Sequence, residues 1–291
     1  MFYQNKIMNA VSDYESSEYV IFGVPFDRTS SFRSGSNLAP DAIRFASKNF
    51  ESYNPFFNIN FTDLLIHDAG NIETYASINE TIRDLFTEVE LIVNDGKIPI
   101  MIGGEHSLSL PCIKACSKAK HEDFGVVILD AHLDLRNEYN GLKYNHACVS
   151  KHILTEVTDN YVSIGVRSGC EEEWEFAKEN SVKYYTAEDV KNIGVKTIIE
   201  EVIEYLDCDN IYLSLDMDSI DCAYAPAVAT PEPFGLNPRE VREIIRTLSP
   251  LSIGFDIVEI APEYDSGQTA ILGNNLLHEF IASNHVNRFK D

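Results

Sequence analysis

Three short stretches gather imidazole and carboxyl groups within a few residues of one another. They are GGEHS with His106, DAHLD with Asp130, His132 and Asp134, and DMDSID with Asp216, Asp218 and Asp221. Alone, a His after a Gly-Gly turn is more often a structural hydrogen-bonding group than a ligand. A single DxD is commonly a solvated turn or a helix cap. DAHLD is different, because alternation along an extended segment turns Asp130, His132 and Asp134 to one side. Three polar side chains sharing a side at a strand end are hard to explain as packing. So many carboxylates repel one another unless cations lie between them. A mixed His/Asp set suits a divalent ion of intermediate softness, such as Mn²⁺, Fe²⁺ or Zn²⁺. Six ligands, some bridging, suffice for two ions, and such a pair lowers the pKa of water enough to offer hydroxide at neutral pH.

Each motif follows an apolar run: Ile98–Ile102, Gly125–Leu129 and Ile211–Leu215. With Tyr19–Val24, Tyr161–Val166 and Ser252–Val258, these short unalternated runs read as strands buried on both faces of a parallel sheet. Helical patterns fall between them, at Ala39–Ser47, Ile78–Asp95, Ser107–Lys118, Glu171–Asn180, Val195–Tyr205, Pro238–Leu248 and Ile271–Ser283. Pro40 sits in a first turn, where its missing N–H is harmless. Strand–helix alternation of this kind predicts an α/β fold with a mostly parallel central sheet, in one domain spanning residues 1–291. Ligands of such sheets bind beyond the carboxyl ends of the strands. The three motifs therefore deliver two His and up to five Asp to one sheet edge.

The 291 residues carry 46 Asp+Glu against 23 Lys+Arg, a formal charge of −23. That balance excludes nucleic acid, which needs a clustered basic face, and an anionic membrane surface. It suits a small cationic ligand, and equally an acidic surface that serves only solubility. The six cysteines (Cys112, Cys116, Cys148, Cys170, Cys208, Cys222) form no CxxC pair, which argues for small buried hydrophobes rather than a disulfide framework. Cys112 and Cys116 have the spacing of neighbours on a helix face. There is no GxGxxG, P-loop, GxSxG or HExxH. No basic-then-apolar leader opens the chain, and no apolar run approaches the roughly 18 residues of a membrane span. The expected compartment is the cytoplasm.

Over nearly its whole length the sequence resembles the ureohydrolases, the family of arginases and agmatinases. The resemblance rests on GVPFDRTSSFRSGSNLAPDAIR, GGEHS, DAHLD, SLDMDSIDCAYAPAVATPEP and GFDIVEIAPEYD, in the family's order. The last of these, and DLRNEYNGLKYNHA after the second motif, look closer to agmatinases. The resemblance implies a three-layer α-β-α fold and two Mn²⁺ ions. One would be held by His106, Asp130, Asp134 and Asp216, the other by Asp130, His132, Asp216 and Asp218. It implies that Glu259 binds a guanidinium, and that His146 shuttles a proton or touches the substrate. Asp134 would take part in proton transfer, and Asp221 would orient a ligand from behind. The implied reaction splits agmatine into putrescine and urea. Alternatives are the same chemistry on N1-aminopropylagmatine, guanidinobutyrate or arginine, or a relative without catalysis. Trimers or hexamers are the implied assembly.

Departures from the family pattern are specific. Glu105 stands where Asp is usual, and Ala227 and Ala229 stand where Gly is expected, which restricts left-handed backbone. Cys170 occupies the place of the Asp with which arginases grip an α-amino group, which makes arginine a weak candidate. The following Glu171–Glu173 read as a solvated helix N-terminus favoured by the dipole.

Overall fold

A computed structural model describes residues 5–120 and 123–288. Among them are ten strands: β1 (Tyr19–Gly23), β2 (Tyr53–Asn54), β3 (Ile59–Asn60), β4 (Ile66–Asn71), β5 (Ile98–Ile102), β6 (Gly125–Leu129), β7 (Tyr161–Val166), β8 (Lys183–Thr186), β9 (Ile211–Asp216) and β10 (Ser252–Val258). The nine α-helices are α1 (Ala39–Ser47), α2 (Ile78–Asn94), α3 (Ser109–Lys120), α4 (Val149–Glu156), α5 (Glu171–Glu179), α6 (Ala187–Ile193), α7 (Val195–Leu206), α8 (Pro238–Leu248) and α9 (Gln268–Arg288).

Eight strands form one sheet in the order β4-β1-β5-β10-β9-β6-β7-β8, and every pairing in it is parallel. β2 and β3 make a separate antiparallel hairpin. The inner strands β1, β5, β6, β7, β9 and β10 are buried throughout, as unalternated apolar runs require. Successive side chains then serve opposite layers. Val127 and Leu129 of β6 pack with α6, α7, α8 and α9, whereas Val126 and Ile128 pack with α2, α3 and α4. The result is three layers, α-β-α.

The two edge strands, β4 and β8, escaped the sequence reading. Both are only partly buried, so neither presents the continuous apolar run by which the inner strands are recognised. Helices α4 and α6, short at 8 and 7 residues, were likewise not foreseen. Cys112, Cys116 and Cys148 are buried, while Cys170, Cys208 and Cys222 are half-buried, and all six are free. The expectation of small buried groups holds for half of them. Among the described residues no helix is long and apolar enough to cross a membrane.

Strand order matters more than strand count. β5, β10, β9 and β6 are consecutive neighbours in the middle of the sheet, although β10 comes last in sequence. Their carboxyl ends carry His106, Glu259, Asp216 and Asp130, so four distant segments meet at one sheet edge.

Candidate metal and substrate site

His106 follows Gly103-Gly104 and opens a turn of 3-10 helix, His106–Leu108. Gly104 is obligatory: a Cβ there would lie 1.8 Å from the Phe26 carbonyl oxygen. That close approach lets Glu105 N donate to Phe26 O at 2.9 Å and Glu259 N to Gly104 O at 2.8 Å. The backbone N–H of His106 donates to Glu259 Oε1 at 2.7 Å. The imidazole Nδ1 faces Asp130 Oδ2, Asp134 Oδ2 and Asp216 Oδ2 at 3.1, 3.3 and 3.2 Å.

The second half of the cluster shares Asp130. His132 Nδ1 lies 3.0 Å from Asp218 Oδ2 and 3.5 Å from Asp130 Oδ1. Backbone donors aim these carboxylates. His132 N donates to Asp130 Oδ1, Ala131 N to Asp218 Oδ1, and Asp218 N to Asp216 Oδ1. The ligand atoms fall into two groups, His106/Asp130/Asp216 and Asp130/His132/Asp218, each compact enough to surround an ion.

The electrostatics show what such a cluster lacks. Burial, aided by the charges of Asp218 and Asp130, pushes the Asp216 carboxyl well above the usual range. Burial and Asp130 raise Asp134 to about 7. Burial opposes charge on His106, yet Asp130, Asp134 and Asp216 outweigh it and hold that imidazole well above its ordinary value. Without cations, protons must offset the crowded carboxylates. Moreover, buried His106 Nδ1 and Asp130 Oδ2 make no hydrogen bond although they lie beside each other. Unpaired buried donors and acceptors are costly unless something binds between them. The residues present fit two divalent cations.

The pattern of a polar residue inside an apolar strand marks groups that the motif reading missed. Ser214 interrupts IYLSL and Asp256 interrupts SIGFDIV. Ser214 Oγ donates to Asp256 Oδ1 at 2.6 Å and lies 3.3 Å from His106 Nε2. Tyr212 Oη donates to the other Asp256 oxygen at 2.8 Å. With its proton committed to the carboxylate, Ser214 must accept from His106 Nε2–H. The lone pair of His106 is thereby left on Nδ1, toward the carboxylates, which is the arrangement that orients a ligating imidazole.

Asp221 makes no hydrogen bond to a ligand residue among the described residues. Its carboxylate accepts from Ala223 N and Gly235 N, both at 2.9 Å, and so braces the loop after β9. Two other groups serve the ligand residues instead. Glu232 Oε1 lies 3.6 Å from His132 Nε2. Arg167 donates to the carbonyls of Gly165, Asp218, Ser219, Glu232 and Pro233, pinning the loop that carries both Asp218 and Glu232. Ala227 and Ala229, in the same loop, are buried and keep negative φ, so this backbone does not require glycine there.

A cleft of about 330 Å³ opens over the cluster, and His106, His132, Asp134, Asp216, Asp218, Glu259 and His146 all line it. Ser31, Arg136, Tyr139, Ser168 and Cys170 also line it. His146 stands with Nδ1 3.1 Å from Thr29 Oγ1 and Nε2 3.2 Å from Ser31 Oγ. Burial, with the nearby His132 and His106, lowers it to about 4, so it is neutral at pH 7. Glu259 is 3% exposed. Burial and Glu105 push its carboxyl well above the usual range, against the pull of the His106 N–H. Its Oε2 takes no hydrogen bond among the described residues.

Glu173 corrects the reading of the acidic run. Glu171 and Glu172 are exposed, but Glu173 is buried. It accepts from Leu135 N and Cys170 N, both at 2.9 Å. The third residue of the helix thus ties α5 to the segment bearing Asp134 in a capping-box arrangement.

The arginase family model matches residues 17–282. The chain belongs to the arginase family. As such a member it is a ureohydrolase-type enzyme, acting on guanidino compounds. It is 34% identical to the agmatinase of Halalkalibacterium halodurans over 276 residues, 93% of each chain. It is 36% identical to the N(1)-aminopropylagmatine ureohydrolase of Thermococcus kodakarensis over 275 residues, 92% of this chain and 91% of that one. The crystal structure of the agmatine ureohydrolase of Thermoplasma volcanium superposes with a TM-score of 0.94 at 44% identity, covering 99% of this chain and 97% of that one. The fold implied by the resemblance is the one observed.

Proposed function

We propose that this ureohydrolase hydrolyses agmatine to putrescine and urea, with two Mn²⁺ ions as cofactors. The observation that carries the reading is Glu259, a buried carboxylate fixed by the His106 N–H at the rim of the ligand cluster, with its second oxygen left for a cationic guanidinium. The ions would be held by His106, Asp130, Asp134 and Asp216 on one side and by Asp130, His132, Asp216 and Asp218 on the other. When bound they supply Lewis acidity and lower the pKa of water toward neutrality.

The chain's own groups do the rest. Guanidinium resists attack because its charge is delocalised over three nitrogens. Glu259 places the central carbon over the cluster and offsets that charge as the carbon becomes tetrahedral. Asp134 takes the proton released as water adds. His146, neutral with a lone pair available at Nε2, relays a proton to the departing amine. Water is consumed, the C–N bond to the chain nitrogen breaks, and the products are urea and an ammonium.

A second reading, the same chemistry on N1-aminopropylagmatine, is favoured by the 36% identity to the enzyme of that name. Urea release from agmatine, N1-aminopropylagmatine, guanidinobutyrate and arginine, with Mn²⁺ present, decides between them. Agmatine should give the highest kcat/KM, and no urea from agmatine would end the proposal. A homo-oligomer, trimer or hexamer, is part of the same proposal and is checked by light scattering.

A further inference from the structure

Three donors converge on Glu105, a fully buried side chain that no role in the cluster explains. Thr29 N and Thr29 Oγ1 each reach it at 2.6 Å, and Ser107 Oγ at 2.5 Å. Thr29 Oγ1 is also the partner of His146. It accepts from His146 N at 3.1 Å and lies 3.1 Å from His146 Nδ1. A threonine hydroxyl has one proton and two lone pairs. The shortest contact of Thr29 Oγ1 is to the carboxylate, so the proton goes to Glu105. Both lone pairs are then left for His146, one for its backbone N–H and one for its ring.

We propose that Glu105 acts through Thr29 as a positioning residue that fixes the tautomer of His146, placing its proton on Nδ1 and its lone pair on Nε2, in the cleft. Ser31 Oγ, 3.2 Å from Nε2, is then a donor to that lone pair until substrate displaces it. Thr29 lies in the segment between β1 and α1, far in sequence from both partners, and Gly104 makes their meeting possible by admitting the Phe26 carbonyl. The arrangement repeats the Asp256–Ser214–His106 chain: carboxylate, hydroxyl, imidazole. The two differ in outcome, because there the hydroxyl holds Nε2 and frees Nδ1. The consequence for turnover rests on the ureohydrolase reading above.

The test is ¹⁵N NMR of [¹⁵N]histidine-labelled full-length protein loaded with diamagnetic Zn²⁺. The pH is 8.5, far above the ordinary carboxyl range. The His146 signal is identified by its loss in His146→Gln. Wild type should show the Nδ1–H form, and Thr29→Ser should keep it. Glu105→Gln is nearly isosteric, and its amide can donate to Thr29 Oγ1. The hydroxyl then turns to Nδ1, and the signal should move to the Nε2–H form. Thr29→Val should move it the same way. With Mn²⁺, both shifting variants should lose about tenfold or more in kcat, up to the roughly 10²–10⁴-fold that a positioned acid–base group contributes, with KM little changed, while Thr29→Ser retains turnover. A wild-type Nε2–H signal, or a signal unmoved in both Glu105→Gln and Thr29→Val, overturns the proposal. Absence of urea from every guanidino compound with wild type would instead remove the functional reading and leave the NMR result to decide the tautomer.

Discussion

Ser214→Ala should weaken metal binding without touching a ligand. Ser214 Oγ bridges the 3.3 Å gap to His106 Nε2 and the 2.6 Å gap to Asp256 Oδ1, and all three residues are buried. Removing the hydroxyl leaves His106 Nε2–H without its acceptor, in a place water cannot readily refill. An unsatisfied buried donor costs about 1–3 kcal/mol. The ring can escape that cost by moving its proton to Nδ1, where three carboxylates would hold it, but a protonated Nδ1 cannot ligate. Either route lowers affinity for the ion on His106. Loss of a group that orients a ligand typically costs about 10–100-fold in metal affinity, or about 1.4–2.7 kcal/mol. Competition of the variant against a chromophoric chelator for Mn²⁺ measures this directly, and thermal unfolding with excess chelator separates it from general destabilisation. A folded Ser214→Ala protein that binds Mn²⁺ within a factor of about two of wild type would refute the assignment of Ser214 as an orienting group. Asp256→Asn is the milder contrast, since its amide can donate to Tyr212 and leave the carbonyl oxygen for Ser214.

Glu259→Gln keeps shape and removes charge, so urea release should fall by about 10²–10³-fold while Mn²⁺ affinity changes far less; equal loss of both would assign Glu259 to the metal site instead. The metal-free protein should lose stability as pH rises from 5 to 8. Asp134 moves from 3.8 to about 7 on folding, and His106 and His132 are raised well above 6.5. The folded state therefore binds more protons than the unfolded state in that window, and their stabilisation is present at low pH and lost through the folded values. For Asp134 alone the part lost between pH 5 and 8 is about 3 kcal/mol, at about 1.4 kcal/mol per pH unit up to its folded value of about 7. Saturating Mn²⁺, which takes the place of the protons, should remove the slope. Unfolding temperatures that rise from pH 5 to 8 in chelator would contradict the cluster electrostatics.

The inner strands and the ligand-bearing motifs were legible because full burial leaves a continuous apolar run, and because no packing argument accounts for DAHLD at its end. Edge strands β4 and β8 were not, since a half-exposed edge needs no such run. Nor was the placement of β10 between β5 and β9, which is a matter of sheet order rather than local pattern. That placement is what brings Glu259 to the cluster. The reading of Glu171–Glu173 as a solvated helix start holds for the first two. It fails for Glu173, because composition cannot show which acid of a run turns inward. Asp221 sits in a motif of acids and was grouped with them, but two backbone N–H groups use its carboxylate to close a loop. Ser214 and Asp256 carried a readable signal, a polar residue within a buried strand, and burial of a polar group demands a partner.

Backbone strain points to the same residues by an independent route. Among the described residues eight non-glycine residues have positive φ, and these include Asp134 at 51° and Glu259 at 65°. Left-handed backbone at such residues costs of order 1–3 kcal/mol each and persists only where the surroundings over-determine it. Those surroundings are present. Asp134 is held by Lys151 N on its carbonyl, and the next residue by Glu173 through the Leu135 N–H. Glu259 is held between Gly104 O and Ala229 N and by its own side chain on the His106 N–H. An unstrained residue at either place would favour stability, so the fold gives up stability to direct one carboxylate at the ligand cluster and the other beside it. Glu173, Gly104 and the Arg167-pinned loop are then parts of one device, which keeps these two acids where relaxed chain geometry would not put them.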